Sequence, residues 1–256
     1  PAAWYADPDG SGGQRYWDGD GWTRHRRTEA PTAPSGVAAN VSGRWAALPA
    51  VYLLATLPPS IGQFVPGRID HHNVQIGLTL ILLAVLALPW GLRRSIAAGL
   101  VSAAMLAVGL ETVPFQIIAA VAFAVRYVTV PAAAPEIIAW GTALALATFG
   151  FGVATLPAAE WLRGACDALS PNWIALAVVG GLGLALAARA RLATTRARIL
   201  ALAAVAVVAI AAYAAPEPRC LAGPFAQVPA DVRKMWLDRV SEVEPWTRFF
   251  DGHPSA

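Results

Sequence analysis

The chain has 256 residues, of which 57% are hydrophobic and 14% are charged, and its mean hydropathy is +0.52. Soluble domains carry about 25% charged residues, so this composition excludes an ordinary soluble globular protein. The net charge of +3 is small, and the basic residues stand in short clusters between apolar runs. That distribution is typical of a membrane protein and does not indicate nucleic-acid binding.

Residues 1–28 are polar and rich in Trp and Gly, and they predict a very small β-rich module. Trp4-Tyr5-Ala6-Asp7-Pro8 precedes Arg15-Tyr16-Trp17-Asp18-Gly19 and Trp22-Thr23. Asp-Pro and Asp-Gly steps mark turns, and the aromatic residues between them suit short strands. The pattern resembles a short Trp-rich domain of unknown function at the ends of many actinobacterial membrane proteins. The resemblance implies no enzymatic activity, and we expect an adaptor with an unidentified cytoplasmic partner.

The remainder of the chain predicts a linker and a bundle of membrane-spanning helices. Residues 29–43 are rich in Pro, Ala, Thr, Ser and Gly, which is typical of a flexible linker. The apolar runs that follow cover residues 45–58, 73–90, 95–110, 113–129, 136–156, 172–188 and 199–215. Their lengths match bilayer spans, although the first and third also fit half-spans. The predicted fold is an all-α, polytopic membrane helix bundle over residues 44–216, with about seven spans.

The loop charges predict which side of the membrane each loop faces. Basic residues near span ends favour the cytoplasmic side, and one topology places all such arginines there. These are Arg24, Arg26, Arg27, Arg44, Arg93, Arg94, Arg126, Arg189, Arg191, Arg196 and Arg198. The acidic residues Asp70, Glu111, Glu160, Asp167 and Glu217 then face outside. We therefore expect a multi-pass protein of the plasma membrane with a cytoplasmic N-terminus and an extracytoplasmic C-terminus.

The only two cysteines, Cys166 and Cys220, follow the fifth and seventh predicted spans and face the oxidising side in this topology. Two thiols in an oxidising compartment can form a disulfide. The sequence leaves this pairing and two unpaired small residues as alternatives. Residues 217–256 form an extracytoplasmic tail, in which the apolar spacing over 231–240 predicts an amphipathic helix on the bundle or at the lipid surface.

A dense group of polar residues, Gly67-Arg68-Ile69-Asp70-His71-His72-Asn73-Val74-Gln75, opens the second predicted span. Ionisable side chains at the mouth of a span are costly unless they pair, bind a ligand or do chemistry. If this segment is extended, Asp70 and His72 point to the same side. A carboxylate and an imidazole together suit Mn²⁺, Mg²⁺ or Zn²⁺. The alternative is an N-capping Asp70 beside interfacial histidines.

The residues around this pair are candidates for binding a substrate. Arg68 can pair with Asp70 or contact a phosphate, since its planar guanidinium suits bidentate oxyanion contacts. We assign His71, Asn73 and Gln75 to substrate binding, with the alternative that the amides only satisfy the helix entrance. Two ligands do not complete a metal site, so water, a substrate phosphate or another carboxylate must supply the remaining oxygens.

Glu111 is a further candidate, because it interrupts an apolar stretch at the external end of the third predicted span. An intramembrane carboxylate is a functional hypothesis by default, and Glu111 could supply a third ligand or act as a catalytic base. The alternative is a glutamate in an interfacial turn before Pro114.

The segment "GRIDHHNVQ" resembles the Asp-His-His motif of GT-C glycosyltransferases, which are multi-spanning enzymes that use lipid-linked sugars. The likeness is to relatives of the oligosaccharyltransferase catalytic subunit and extends over residues 60–245, although only this motif is specific. The resemblance implies that Asp70 and His72 bind a catalytic divalent metal, Mn²⁺ or Mg²⁺, in an external loop. It also implies a polyprenyl-phosphate sugar donor, whose phosphate leaving group the metal would neutralise.

The chain departs from that family in two ways. Those enzymes carry another acidic residue well upstream of the motif, whereas the earlier acids here, Asp7, Asp9, Asp18 and Asp20, lie in the predicted cytoplasmic module. The Trp-Trp-Asp acceptor motif has no match, so protein N-glycosylation is not predicted. Two functions stay open: a transferase that is incomplete in this chain, and a non-catalytic or truncated relative that serves as a membrane scaffold. A transporter ranks third, since no internal repeat is evident.

Overall fold

The computed structural model describes residues 2–8, 14–27 and 71–235, and the chain divides into two compact units between residues 68 and 69. The predicted linker, the predicted first span over 45–58, Arg68 and Asp70 lie outside the described residues. The two units are therefore treated separately.

The N-terminal unit contains a three-stranded antiparallel sheet in the order β1-β2-β3. The strands are β1 (Ala3–Ala6), β2 (Gln14–Trp17) and β3 (Trp22–Arg27). Directly opposed aromatic residues join them: Trp4 packs edge-on against Tyr16, and Trp17 packs edge-on against Trp22, with ring centroids 5.3 and 5.2 Å apart. Such cross-strand pairs stabilise a sheet that is too small to have a core. The predicted β-rich module is confirmed.

The turn between β2 and β3 follows from the Asp-Gly signal. The Asp18 carboxylate accepts hydrogen bonds from the backbone N–H groups of Asp20 and Gly21, at 2.9 and 2.8 Å. These bonds stabilise the ionised form and lower the pKa of Asp18. Gly19 has φ of 114°, a left-handed conformation that favours glycine.

The second unit is a helix bundle, as predicted. Its helices in the described residues are α1 (His71–Ala87), α2 (Leu92–Val108), α3 (Val113–Thr129), α4 (Ala134–Thr155), α5 (Pro171–Arg189), α6 (Thr195–Ala214) and the short α7 (Ala230–Met235). Three of them, α4, α5 and α6, are long and apolar enough to cross a membrane, while α1 and α3 are shorter apolar helices. This is consistent with an integral membrane protein. The number of spans stays a prediction.

Sequence signals explain where several helices begin. Pro114, Pro135 and Pro171 stand in the first turns of α3, α4 and α5, where the missing N–H of proline has no helical partner to lose. The hydroxyl oxygen of Thr194 accepts a hydrogen bond from the backbone N–H of Ala197 at 3.1 Å and caps α6. α7 occupies the first part of the predicted amphipathic tail helix, and residues 236–240 lie outside the described residues.

Arginines from separate helices meet at one end of the bundle. The guanidinium groups of Arg94 and Arg126 lie over the Trp90 ring, 3.6 and 4.7 Å from its centroid. Arg198, at the start of α6, donates a hydrogen bond to the carbonyl oxygen of Tyr127 at 3.3 Å. Three arginines that the topology predicts on the cytoplasmic side thus share one end of the structure. The orientation of that end in a membrane stays a prediction.

A disulfide between Cys166 and Cys220 joins the loop after α4 to the segment after α6, with their Cα atoms 4.9 Å apart. The Gln227 side chain reinforces this connection. Its carbonyl oxygen accepts a hydrogen bond from the Cys166 backbone N–H at 3.1 Å, and its amide nitrogen donates to the Gly164 carbonyl at 2.9 Å. We call residues 164–170 together with 217–228 the cap.

The cap contains an acid-sensitive contact. The Glu217 carboxylate accepts hydrogen bonds from Arg219 at 2.7 and 2.8 Å and from the Gln227 amide at 3.2 Å. The Arg219 guanidinium is the main reason that the pKa of Glu217 falls from 4.5 to about 2. Because the folded pKa is depressed, this contact contributes its full stability above pH 4.5 and loses it as the pH falls toward 2.

We expect the melting temperature of the protein in detergent to fall over this pH interval, and to fall less in Glu217→Gln, which has no carboxyl to protonate. Glu160→Gln, which alters an exposed pair with Arg163, serves as the control and should follow the wild type. Parallel pH curves for wild type and Glu217→Gln would contradict the assignment.

Candidate metal centre

The polar residues at the start of α1 meet the loop between α2 and α3. The side-chain amide of Gln75 donates a short hydrogen bond to Glu111 Oε2, and His71 Nε2 lies 3.5 Å from Glu111 Oε1. The rings of His71 and His72 are adjacent, with centroids 4.3 Å apart. One ligand atom from each of His71, His72 and Glu111 lies within 4.8 Å of the other two.

Local geometry explains why these side chains converge. His71 and Gln75 are four residues apart in α1, so both project from the same face of the helix and reach the same carboxylate. Gly109 ends α2 opposite them, and a Cβ atom there would overlap the Gln75 amide. The absence of a side chain at Gly109 therefore lets α1 approach the loop closely enough for the Gln75–Glu111 bond.

The burial pattern makes Glu111 available as a ligand while its position is held. Gln75 is 3% exposed, whereas the side chains of Glu111 and His71 are 56% and 50% exposed. Burial acts to raise the pKa of Glu111, but hydrogen bonds from its own backbone N–H, from Gln75 and from His71 outweigh it, and the pKa is lowered. Glu111 is thus ionised at neutral pH, the state that binds a metal ion.

Two imidazoles and one carboxylate are a suitable donor set for a divalent transition metal. Imidazole suits Zn²⁺ and Fe²⁺, and carboxylate suits Mn²⁺ and Mg²⁺, so a mixed set favours Mn²⁺ or Zn²⁺ over Mg²⁺. Donor atoms bound to one ion at about 2.1 Å are at most about 4.2 Å apart. The three donor atoms lie within 4.8 Å of one another, close to this limit, and three protein ligands leave coordination positions for water or a substrate oxygen.

The predicted ligand Asp70 lies outside the described residues, so its pairing with His72 stays a prediction. His71 and His72 begin α1, so the extended conformation considered for this segment does not hold at these two residues. His71, which we assigned to substrate binding, joins His72 and Glu111. Gln75 holds Glu111, and the Asn73 side chain accepts a hydrogen bond from the Val74 N–H at 2.7 Å. The signal that sequence reasoning missed is the four-residue spacing of His71 and Gln75.

These observations describe a helix bundle of membrane-protein character with a candidate metal centre at the start of α1, together with a separate β-module. Residues 2–35 match the family described as protein of unknown function (DUF2510), which confirms the predicted resemblance of the Trp-rich module. Comparison with curated proteins and with solved structures finds no match.

Proposed function

We propose that this integral membrane protein binds a divalent metal ion through His71, His72 and Glu111 and uses it in glycosyl transfer from a polyprenyl-phosphate-linked sugar. The observation that carries the proposal is the convergence of three donor atoms from α1 and the α2–α3 loop within 4.8 Å. The resemblance of residues 67–75 to the Asp-His-His motif supports the choice of donor.

In this proposal each residue has a defined role. The bound ion would neutralise charge on the departing phosphate. Glu111 is a ligand rather than a general base, because the hydrogen bond from Gln75 favours its ionised form and makes it poorly basic. Asp70, which precedes His71 in the chain, is proposed as an additional ligand, and Arg68 as a phosphate contact. The external membrane face is the proposed place of reaction.

A second candidate function is a non-catalytic membrane scaffold. The contact that favours it is the pair formed by His71 and Glu111, 3.5 Å apart. In a scaffold, this pair and the Gln75–Glu111 hydrogen bond would have the structural role of holding α1 against the α2–α3 loop. A scaffold of this kind would bind no metal, and the two candidates therefore differ in a direct measurement.

We predict that the full chain in detergent binds Mn²⁺ and that the cluster variants lose this binding. Gln75→Leu removes the residue that orients Glu111 and should weaken affinity by roughly 10- to 100-fold. Glu111→Gln removes a ligand and should weaken affinity further. Titration calorimetry, with Mn²⁺ paramagnetic resonance as a second readout, measures both effects, and competition with Zn²⁺ and Mg²⁺ tests the metal preference.

Glu160→Gln is the matched control, because it also removes an exposed glutamate carboxylate but lies outside the cluster. Equal affinity in wild type and Glu111→Gln would overturn the metal centre and favour the scaffold. If Mn²⁺ binds, release of polyprenyl phosphate from a radiolabelled polyprenyl-phosphate sugar, compared between wild type and Glu111→Gln, tests the transfer reaction separately.

A further inference from the structure

The helix bundle contains an apolar cleft, separate from the metal centre, with a volume of about 210 Å³. Five helices line it, α2 to α6, and each contributes at least one residue: Leu106, Ile117, Leu144, Leu176 and Ala209 respectively. The described residues that form its wall include no charged side chain. The amide of Gln116, one of its few polar groups, turns back to donate a hydrogen bond to Thr112 Oγ1 at 3.4 Å.

The position of the cleft indicates what surrounds it. The helices that could cross a membrane, α4, α5 and α6, all contribute to its wall. The apolar helix α3 forms another part of the wall. Its residues Ile118, Val121 and Val125 are more than half exposed, as expected for side chains that face lipid. Within the bilayer the surrounding medium is hydrocarbon, and water is excluded.

A glycine in the wall of the cleft, Gly180, is not required where α4 and α5 cross. At Gly181 a Cβ atom would overlap the backbone of Gly141, so that glycine is required where α4 and α5 cross. At the adjacent Gly180 the nearest atom to an added Cβ is Ala209 Cβ at 3.6 Å, an ordinary contact distance. A side chain at Gly180 therefore begins in the wall of the cleft, beside Ala209 of α6, and away from the Gly141–Gly181 contact.

We propose that this cleft binds one acyl chain of a bilayer phospholipid. An uncharged, apolar wall fits a hydrocarbon chain, and the acyl chains around α3 are present at the highest concentration of any ligand in the membrane. The upper part of the wall includes Val113, at the start of α3, so the bound lipid has its headgroup at the membrane face where Glu111 lies. This site depends on membrane insertion and not on the metal centre.

Photo-crosslinking of the full chain in nanodiscs tests the proposal. The probe is a phosphatidylglycerol with a diazirine in the middle of one acyl chain, and the labelled peptides are identified by mass spectrometry. Labelling should concentrate in residues 113–120 and 173–184. Gly180→Leu, which fills the cleft, should lose this labelling, and Ala120→Leu on the α3 wall should do the same. Gly150→Leu is the control, since Gly150 is exposed on α4 with open space beside it.

Each result decides the question. Labelling spread evenly over all lipid-facing helices, or unchanged in both Gly180→Leu and Ala120→Leu, would overturn the site. Displacement of the probe by polyprenyl phosphate but not by unlabelled phosphatidylglycerol would also overturn it, because the occupant would then be a different lipid. Mn²⁺ binding, measured on the same variants, should stay at the wild-type value, which separates failure of this site from failure of the metal centre.

Discussion

Replacing Gly141 by valine is expected to separate α4 from α5 and to destabilise the bundle by about 3 kcal/mol or more. At this crossing the backbones of the two helices approach closely: a Cβ atom at Gly141 would overlap the carbonyl of Gly181, and a Cβ at Gly181 would overlap the carbonyl of Gly141. A backbone carbonyl cannot rotate away as a flexible side chain can. Membrane helices associate through such close approaches of small residues.

Gly150→Val is the control for this prediction. Gly150 lies in the same helix and is exposed, and a Cβ atom added there would meet no other atom within 4 Å. The control therefore undergoes the same change in helix propensity without the overlap. Thermal unfolding in detergent, followed by intrinsic fluorescence and size-exclusion chromatography, compares the two variants. Equal melting temperatures would show that the α4–α5 crossing does not hold the bundle together.

The two adjacent glycines of α5, Gly180 and Gly181, have different surroundings. Gly181 permits the contact with α4, whereas Gly180 faces the apolar cleft, and the two positions therefore respond differently to the same substitution. Gly180→Leu is expected to leave the fold intact and to remove a lipid site, while a branched residue at Gly181 should act like Gly141→Val. Substitutions at these two neighbouring positions can thus test lipid binding and stability independently.

The helices were largely predictable from the sequence, because long apolar runs bounded by proline and charge have few alternative structures. The predicted run 113–129 coincides with α3, and the predicted run 172–188 lies within α5. Pro114 and Pro171 explain this agreement, since each stands where a helix can begin but not continue backward. The β-module was predictable for a similar reason, through turn residues such as Asp18 and Gly19.

The candidate metal centre was predictable only in part, because it depends on a contact between residues distant in the chain. The polar motif drew attention to His71 and His72, and Glu111 was a candidate from its apolar surroundings. Their meeting point depends on Gly109, which lets α1 and the α2–α3 loop approach, and on Gln75, which is 36 residues from Glu111. The four-residue spacing of His71 and Gln75 is visible in the sequence, but the contact of these side chains with Glu111 is not.

Removing the disulfide is the second large effect that we expect. Replacing both Cys166 and Cys220 by alanine opens a covalent loop with a sequence separation of 54, and the chain-entropy model assigns a bond of this loop size about 4 kcal/mol. Both cysteines are buried. Alanine is therefore used rather than serine, which would place a hydroxyl group in an apolar site. The loss of stability should be concentrated in the cap. The closed loop also contains α5 and α6, but the backbone hydrogen bonds of these helices persist in a membrane.

Hydrogen exchange distinguishes this expectation from a general loss of structure. In the double alanine variant, residues 164–170 and 218–228 should exchange faster, while α4 and α5 keep their protection. The wild type should show the same change after complete reduction, and the variant should be insensitive to reductant. Equal exchange rates of the cap in wild type and variant would mean that the Gln227 and Glu217 contacts hold the cap without the covalent bond.

The same cysteines test the membrane orientation. Disulfides persist in oxidising compartments and are rare in the cytosol, so the bond can form in the cell only if the cap faces outside. Thiol alkylation of intact cells before lysis, followed by mass spectrometry, should find Cys166 and Cys220 joined. Quantitative alkylation of both thiols by a membrane-permeant reagent, but not by a membrane-impermeant one, would place the cap in the cytoplasm and, with it, reverse the proposed side of the arginine-rich end and of the metal centre.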